Sequence, residues 1–311
     1  METLLILGSE TVVGANAAAH WRTSGAAEVV DASLAGFAAV GLDKARAVID
    51  DAEADRVVLC NPASESAWSS PDVTAAAVDD FRVWVRATRD AGLPLTFISS
   101  DAALTGPRLF HREDSDAFCD SAEAGRVREM EELVARVMPE TGLVLRTHAF
   151  GFAPAGDGPV ESILDGGDVA ALLRHCDPFA HATPILATDL ADVILRAHEE
   201  GLTGLLHAGG AERVCQSELT RAIAAAFDVA AAGGGDAPSL GKVASGFGRG
   251  ESALDSRRTR DLLNLAAPLL REGIDRLVAQ EEDGFRALVS GQGFQRPATV
   301  SLQQGVVGSA A

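Results

Sequence analysis

The chain contains no tyrosine, and its 311 residues include only two lysines, Lys44 and Lys242. The first absence excludes any mechanism that takes a phenolic proton from this chain. The second confines amine chemistry to two positions. Cysteine is scarce as well: Cys60, Cys119, Cys176 and Cys215 stand far apart and form none of the close pairs of a zinc site, so no metal is expected. Positive charge is in deficit, with 26 Lys+Arg against 45 Asp+Glu and a net charge of −19. Such a chain repels polyanions, so neither nucleic acid nor an anionic membrane surface is an expected partner. No apolar run approaches the ~18 residues of a spanning helix. The N-terminus shows no basic region followed by an apolar stretch and a cleavage site. The expectation is a soluble cytoplasmic protein with reduced thiols.

Hydrophobic residues make up 47% of the chain, enough for a sizeable core. Short apolar segments at 3–7, 28–31, 57–60, 95–99 and 143–145 read as strands. Between them 15–21, 42–54, 71–91 and 123–137 read as helices, with Pro71 suited to a first turn. Alternation of this kind specifies an α/β fold: a Rossmann-type, doubly wound parallel sheet with right-handed crossovers. Beyond Gly151 the texture changes. Helices are expected at 188–200, at 217–227 with Ser217 as N-cap, and at 257–280 with a weak point at Pro268. A strand is expected at 205–207 and a flexible loop at 230–239. The domain reading is a dinucleotide-binding core over 1–150, a smaller C-terminal substrate-binding region over 151–285 interleaved with it, and a tail over 286–311.

The segment from Gly8 to Gly14 follows a strand and opens a helix, where a pyrophosphate rests on helix N–H groups. Gly8, Thr11, Val12, Val13 and Gly14 are therefore candidate cofactor contacts. Thr11 stands where a glycine would let the backbone approach the phosphates, and Glu10 adds an unhelpful carboxylate. Asp31 ends the second strand. It suits an adenosine ribose and repels a 2′-phosphate, favouring NAD(H) over NADP(H). The competing reading is a strand–turn–helix that has lost its ligand.

These features together resemble the extended short-chain dehydrogenase/reductase superfamily, and within it the reductases and related proteins that bind sugar nucleotides. The likeness spans about residues 3 to 280. Asn61-Pro62-Ala63 looks like the family's small loop against the cofactor. Ile98-Ser99-Ser100-Asp101 with Gly106 looks like its Ile-Ser-Thr-Asp segment, and Leu145-Arg146-Thr147 with Gly151 like its Leu-Arg-Thr segment. Thr188-Asp189-Leu190-Ala191-Asp192 and the stretch from Gly204 to Gly209 match two later features. The resemblance implies a nicotinamide cofactor, NAD(H) or alternatively NADP(H), or its loss. It also implies a small-molecule or nucleotide-sugar ligand, and a homodimer or partner enzyme.

The family's Tyr-x-x-x-Lys pair aligns with Ala124 and Arg128. Ala124 cannot transfer a proton. Arg128 keeps a charge that can hold a ribose or phosphate but is no acid near neutrality. Ordinary ketone reduction is thus expected to be absent or very slow. Ser100 keeps a hydroxyl where the family polarises a carbonyl. Asp101 and His148 are candidate replacement acids at the C-terminal ends of strands, weighed against a capping and a packing role. Glu123, His111, Glu113, Asp114 and Cys119 are weaker candidates, and no Ser–His–Asp set is read from the sequence. Three functions follow. One is an enzyme of altered chemistry: a lyase, dehydratase, epimerase or isomerase. The second is a non-catalytic regulatory subunit. The third is a residual reductase that uses Ser100 without tyrosine.

Overall fold

Leu4, Leu5, Ile6 and Leu7 in strand β1 (Thr3–Leu7) have no exposed surface. Leu5 and Leu7 join one apolar cluster and Leu4 and Ile6 another, because successive side chains leave opposite faces of a strand. Both faces of the sheet are therefore covered, as in a doubly wound parallel sheet. The protein is described by a computed structural model over residues 2–34, 39–230 and 246–291. Lys242, most of the loop expected at 230–239 and the tail from 292 onward lie outside the described residues.

The chain continues through α1 (Val12–Ser24), β2 (Glu28–Ala32), α2 (Leu42–Asp51), β3 (Arg56–Leu59), α3 (Ala75–Asp90), β4 (Leu95–Ser100), α4 (Ala122–Val137) and β5 (Gly142–Thr147). There follow β6 (Ala149–Phe150), α5 (Pro159–Leu164), α6 (Val169–His175), β7 (His181–Ala182), β8 (Ile185–Leu186), α7 (Ala187–Glu199) and β9 (Gly204–Ala208). The last elements are β10 (Val214–Cys215), α8 (Gln216–Ala226), α9 (Arg257–Leu263), α10 (Leu270–Glu282) and α11 (Phe285–Val289). The main sheet runs β2-β1-β3-β4-β5-β9 and every neighbouring pair is parallel. This is the Rossmann-type α/β fold expected from the alternation. Among the described residues no helix is long and apolar enough to cross a membrane.

One face of the sheet buries Val48, Phe81, Trp84 and Val134 from α2, α3 and α4. The other buries Trp21 of α1 and Leu190 and Ile194 of α7. A third cluster joins Phe150 and Phe152 to Ile163, Leu219, Ile223, Leu277 and Phe285, so the later helices pack beside the ends of the strands. The strand order changes direction between β1 and β3, and in open sheets of this kind ligands bind at the C-terminal ends of the strands beside such a switch.

Most element ends differ from the sequence expectation by one to three residues, as at α1 and α2, and three differences have a local cause. Helix α3 starts at Ala75, not Pro71, because Thr74 caps it, its Oγ1 accepting the Ala77 N–H at 3.1 Å. Helix α8 starts at Gln216, one residue before Ser217; the Glu218 carboxylate reaches back to the Cys215 N–H at 2.8 Å. The segment 257–280 is two helices. Asn264 ends the first in the left-handed region, at φ +51°, and Pro268 lies between them.

Candidate functional site

The glycine turn has the backbone of a dinucleotide site. A Cβ on Gly8 would lie 1.9 Å from the Cys60 carbonyl oxygen, and one on Gly14 would lie 2.3 Å from that of Gly8. Close packing of helix on strand requires both glycines. Thr11 is the N-cap of α1: its hydroxyl donates to the Gly8 carbonyl at 2.8 Å and accepts the Gly14 N–H at 3.0 Å. The next N–H, of Val12, donates to Glu65 Oε1 at 2.8 Å, while Val13 is buried in the core beneath. A carboxylate from the chain itself thus sits on the amide that a phosphate would use. Burial raises the Glu65 pKa and the Val12 N–H opposes that; nearby Glu10 and Asp157 raise it further. The Glu10 carboxylate accepts the Leu34 N–H at 2.9 and 3.0 Å. Asp31 is ion-paired with Arg22. The turn therefore fits a pyrophosphate in shape but, with Glu65 in place, opposes it in charge.

Asn61, Pro62 and Ala63 begin the loop that carries Glu65. Asn61 Oδ1 accepts the Ala63 N–H at 2.9 Å, and its Nδ2 donates to Met130 Sδ at 3.3 Å. Ser64 Oγ donates to the Ile98 carbonyl at 2.7 Å, fastening the loop to β4. Ser66 follows, half-buried, and its Oγ accepts the Trp68 N–H at 3.3 Å. The loop is thus two short turns pinned at both ends, which fixes where Glu65 and Ser66 point.

Asp101 and His148, singled out separately in the sequence, meet. Asp101 Oδ2 lies 3.1 Å from His148 Nδ1, and both side chains are almost wholly buried. The same oxygen accepts a hydrogen bond of 2.7 Å from Ser252 Oγ. On the other side of the ring, His148 Nε2 lies 2.9 Å from Ser66 Oγ. The indole of Trp68 packs against the imidazole at 4.1 Å between centroids. An ionised Asp101 can only accept, so it holds the proton on Nδ1 and leaves the Nε2 lone pair facing Ser66. Ser100 Oγ stands 3.5 Å from Asp101 Oδ1 and accepts the Ala102 N–H at 3.1 Å, capping the turn that carries Asp101.

Ser66 and His148 line a cavity of about 70 Å³ with Val12, Trp68, Phe150 and Ile163. Its outer wall is Leu219 and Ile223 of α8. The site is thus a proton-accepting imidazole, a hydroxyl and a largely apolar chamber, at the end of the sheet where ligands bind.

Arg128 stands apart from this group. Its guanidinium lies 4.7 Å from the centre of the Phe118 ring, beside a separate cavity bordered by Glu131, Glu132, Arg146 and Gly204. Ala124 is fully buried. His111 bonds Ser115 Oγ at 3.0 Å and the Glu251 carbonyl at 3.1 Å, and burial lowers its pKa. Glu113 accepts the His207 N–H at 3.3 Å, and Asp114 pairs loosely with Arg112. Cys119 is buried. Among the described residues no group of three or more His, Cys, Asp or Glu is placed to hold a metal. Ser66 and Ser252 were missed in the sequence. They stand 82 and 151 residues from their partners in the group, so no local spacing signals them.

No family model matches the chain, and no curated protein matches it in sequence. Solved structures do match in fold. A dTDP-4-dehydrorhamnose reductase from Bacillus anthracis in complex with NADP superposes with a TM-score of 0.73 at 16% identity, covering 90% of this chain and 99% of that one. A dTDP-glucose 4,6-dehydratase from the same organism, in complex with NAD, gives 0.67 at 12%, covering 91% and 97%. A UDP-glucose 4-epimerase from Thermotoga maritima with UDP-glucose gives 0.67 at 16%, covering 91% and 99%. The likeness establishes the fold along nearly the whole of each chain.

Proposed function

We propose that the chain is an enzyme of the short-chain dehydrogenase/reductase fold whose chemistry is proton transfer at His148 rather than ketone reduction. The substrate class is a small or nucleotide-linked sugar-like molecule. The observation that carries this reading is the His148–Asp101 pair, buried, oriented and facing a cavity, in a chain with no tyrosine. A neutral imidazole poised by a carboxylate serves as a general base near neutrality. Those lyase, dehydratase, epimerase and isomerase reactions that pass through a carbanion or enolate use such a group to remove a proton from carbon. The names of the similar structures, which include a dehydratase and an epimerase of nucleotide sugars, support the substrate class. When bound, NAD(H) or NADP(H) would supply hydride chemistry. The glycine turn would hold it only with Glu65 withdrawn from Val12, and no proton transfer proposed here depends on it.

The test is solvent exchange. Purified protein is incubated in heavy water with a panel of dTDP- and UDP-linked sugars, and deuterium entering the sugar is read by mass spectrometry. Incorporation that disappears in His148→Gln is expected. No incorporation with any sugar, together with NADH oxidation by the parent protein, would overturn the reading.

A second reading, a ligand-binding subunit without turnover, draws on a different observation. Ala124 is sealed, while Leu109, Phe110 and Phe118 nearby in sequence are 62%, 42% and 41% exposed. Native mass spectrometry that finds a co-purified nucleotide sugar, with no exchange, would favour it.

A further inference from the structure

Ser66, His148 and Asp101 form a continuous chain of hydrogen bonds: Oγ to Nε2 at 2.9 Å, then Nδ1 to Oδ2 at 3.1 Å. We propose that Ser66 is an activated nucleophile and that the chain transfers short acyl groups from esters, with water as the final acceptor. The proposal rests on the reading of His148–Asp101 as a proton-transfer centre and adds to it the atom that attacks.

Each part of the arrangement has a reason in chemistry. A serine hydroxyl is a weak nucleophile until a base takes its proton as it attacks. His148 Nε2 is within hydrogen-bond reach of Oγ and cannot be protonated on both nitrogens without losing its role as acceptor. Asp101 selects the tautomer and stabilises the imidazolium that forms. Ser252 Oγ, at 2.7 Å, and the turn capped by Ser100 hold Asp101 in turn, and the Trp68 indole fixes the plane of the ring. These are positioning residues. Ser66 itself is half-buried and borders the cavity, which places the residue where a ligand there would lie. The N-terminus of α1, a helix of 13 residues, meets the same cavity at Val12, but the Glu65 carboxylate, which also lines the cavity, accepts that N–H at 2.8 Å, so the helix end would favour a developing oxyanion only with Glu65 withdrawn.

The cavity selects the substrate. Its volume of about 70 Å³ and its walls of Trp68, Phe150, Val160, Ile163, Leu219 and Ile223 suit a short unbranched acyl chain. In the first step Ser66 Oγ bonds to the ester carbonyl carbon and its proton passes to His148 Nε2. The carbon–oxygen bond to the alcohol breaks, and the alcohol leaves with that proton. In the second, water attacks the acyl carbon and gives a proton to His148. The acyl–Oγ bond breaks, the carboxylic acid departs, and Oγ recovers its proton. No oxidant or reductant is needed.

The experiment uses the whole protein with p-nitrophenyl acetate and butyrate, and with a fluorophosphonate that labels activated serines. Expected are ester hydrolysis and one phosphonyl adduct mapped to Ser66 by peptide mass spectrometry. Both should be lost in Ser66→Ala with an unchanged circular dichroism spectrum, and hydrolysis should fall by about 10⁴ in Asp101→Asn through the wrong tautomer. A folded parent that takes no label at Ser66, or a Ser66→Ala variant that keeps the esterase rate, would overturn the proposal. Deuterium exchange separates it from the broader reading. If Ser66→Ala keeps sugar exchange while His148→Gln loses it, proton transfer stands and the nucleophile does not. A parent that shows no sugar exchange but hydrolyses esters and is labelled at Ser66 would overturn the sugar reading and leave the nucleophile standing.

Discussion

The Glu65 carboxylate accepts a hydrogen bond of 2.8 Å from the backbone N–H of Val12, the first residue of α1. This one contact decides how the glycine turn meets an anion. It supplies internally the negative charge that the helix terminus attracts. It also places that charge in a half-buried position where Glu10 and Asp157 oppose it.

Glu65→Gln should therefore tighten dinucleotide binding. Removing one carboxylate from beside the pyrophosphate is worth about 1.4 kcal/mol, or about tenfold in Kd. Calorimetric titration of parent and variant with NAD and NADP measures it, and unchanged affinity would mean that Glu65 does not compete. The same variant reports on stability. The folded-state pKa of Glu65 is raised above 4.5, so its contribution is fully present below 4.5 and is lost as pH rises through the folded value. Glu65→Gln should be more stable than the parent at pH 7, and the difference should vanish below about pH 4.5.

His198 and His207 give an acid-lability prediction of opposite sense. Burial lowers the pKa of each from 6.5 to about 3. Between these values the unfolded chain binds protons that the folded chain refuses. Stability should fall as pH drops from 6.5 towards 3, at up to about 1.4 kcal/mol per histidine per pH unit. Urea unfolding at stepped pH measures the slope. His198→Gln should remove about half of their combined contribution, leaving that of His207, while keeping a partner for Thr96 Oγ1, which lies 2.8 Å from His198 Nε2.

Glu131 and Arg146 form a two-pronged buried pair, Nε to Oε1 at 2.8 Å and Nη2 to Oε2 at 2.6 Å, with Ser99 Oγ donating to Oε1 at 2.6 Å. Glu131→Gln would strand the guanidinium in the core and should cost about 3–5 kcal/mol. Glu131→Met with Arg146→Leu should cost less than that single change, since both charges go together. Thermal unfolding of the three proteins orders them, and equal losses would mean that shape, not charge, sets the cost.

The sheet was legible because its strands carry unbroken apolar runs such as Leu4-Leu5-Ile6-Leu7, and burial on both faces demands such runs. Helix starts were less so. Pro71 looks like a first-turn residue, but the hydroxyl of Thr74 settles the matter through a bond that composition does not display. Asp101 and His148 could be named from their places at strand ends. Their contact could not, because it depends on where β4 and β5 deliver them, and Ser66 arrives on a loop of which only Asn61, Pro62 and Ala63 read as cofactor contacts. Arg128 shows the limit of alignment reasoning. Its register on the helix is clear, yet its side chain is drawn to the exposed Phe118 ring, a cation–aromatic contact that sequence spacing does not reveal.

That placement bears on rebuilding a reductase here. Ala124 is fully buried on α4, and α4 packs on the turn Asp101–Ala103. A tyrosine at this position must shift the helix or what covers it, and the turn that carries Asp101 is among the helix's contacts. Overpacking of this kind costs about 1–3 kcal/mol. Ala124→Tyr with Arg128→Lys should therefore lower stability to denaturant and oxidise no NADH with keto-sugar nucleotides. It should also weaken any esterase activity through the displaced Asp101. Denaturant unfolding and NADH absorbance read the first two effects. A stable double variant that reduced a keto-sugar would show that the space beside Ala124 opens on ligand binding and that the Glu65 contact yields to the cofactor. The scaffold would then have kept a reductase's geometry and lost only its proton donor.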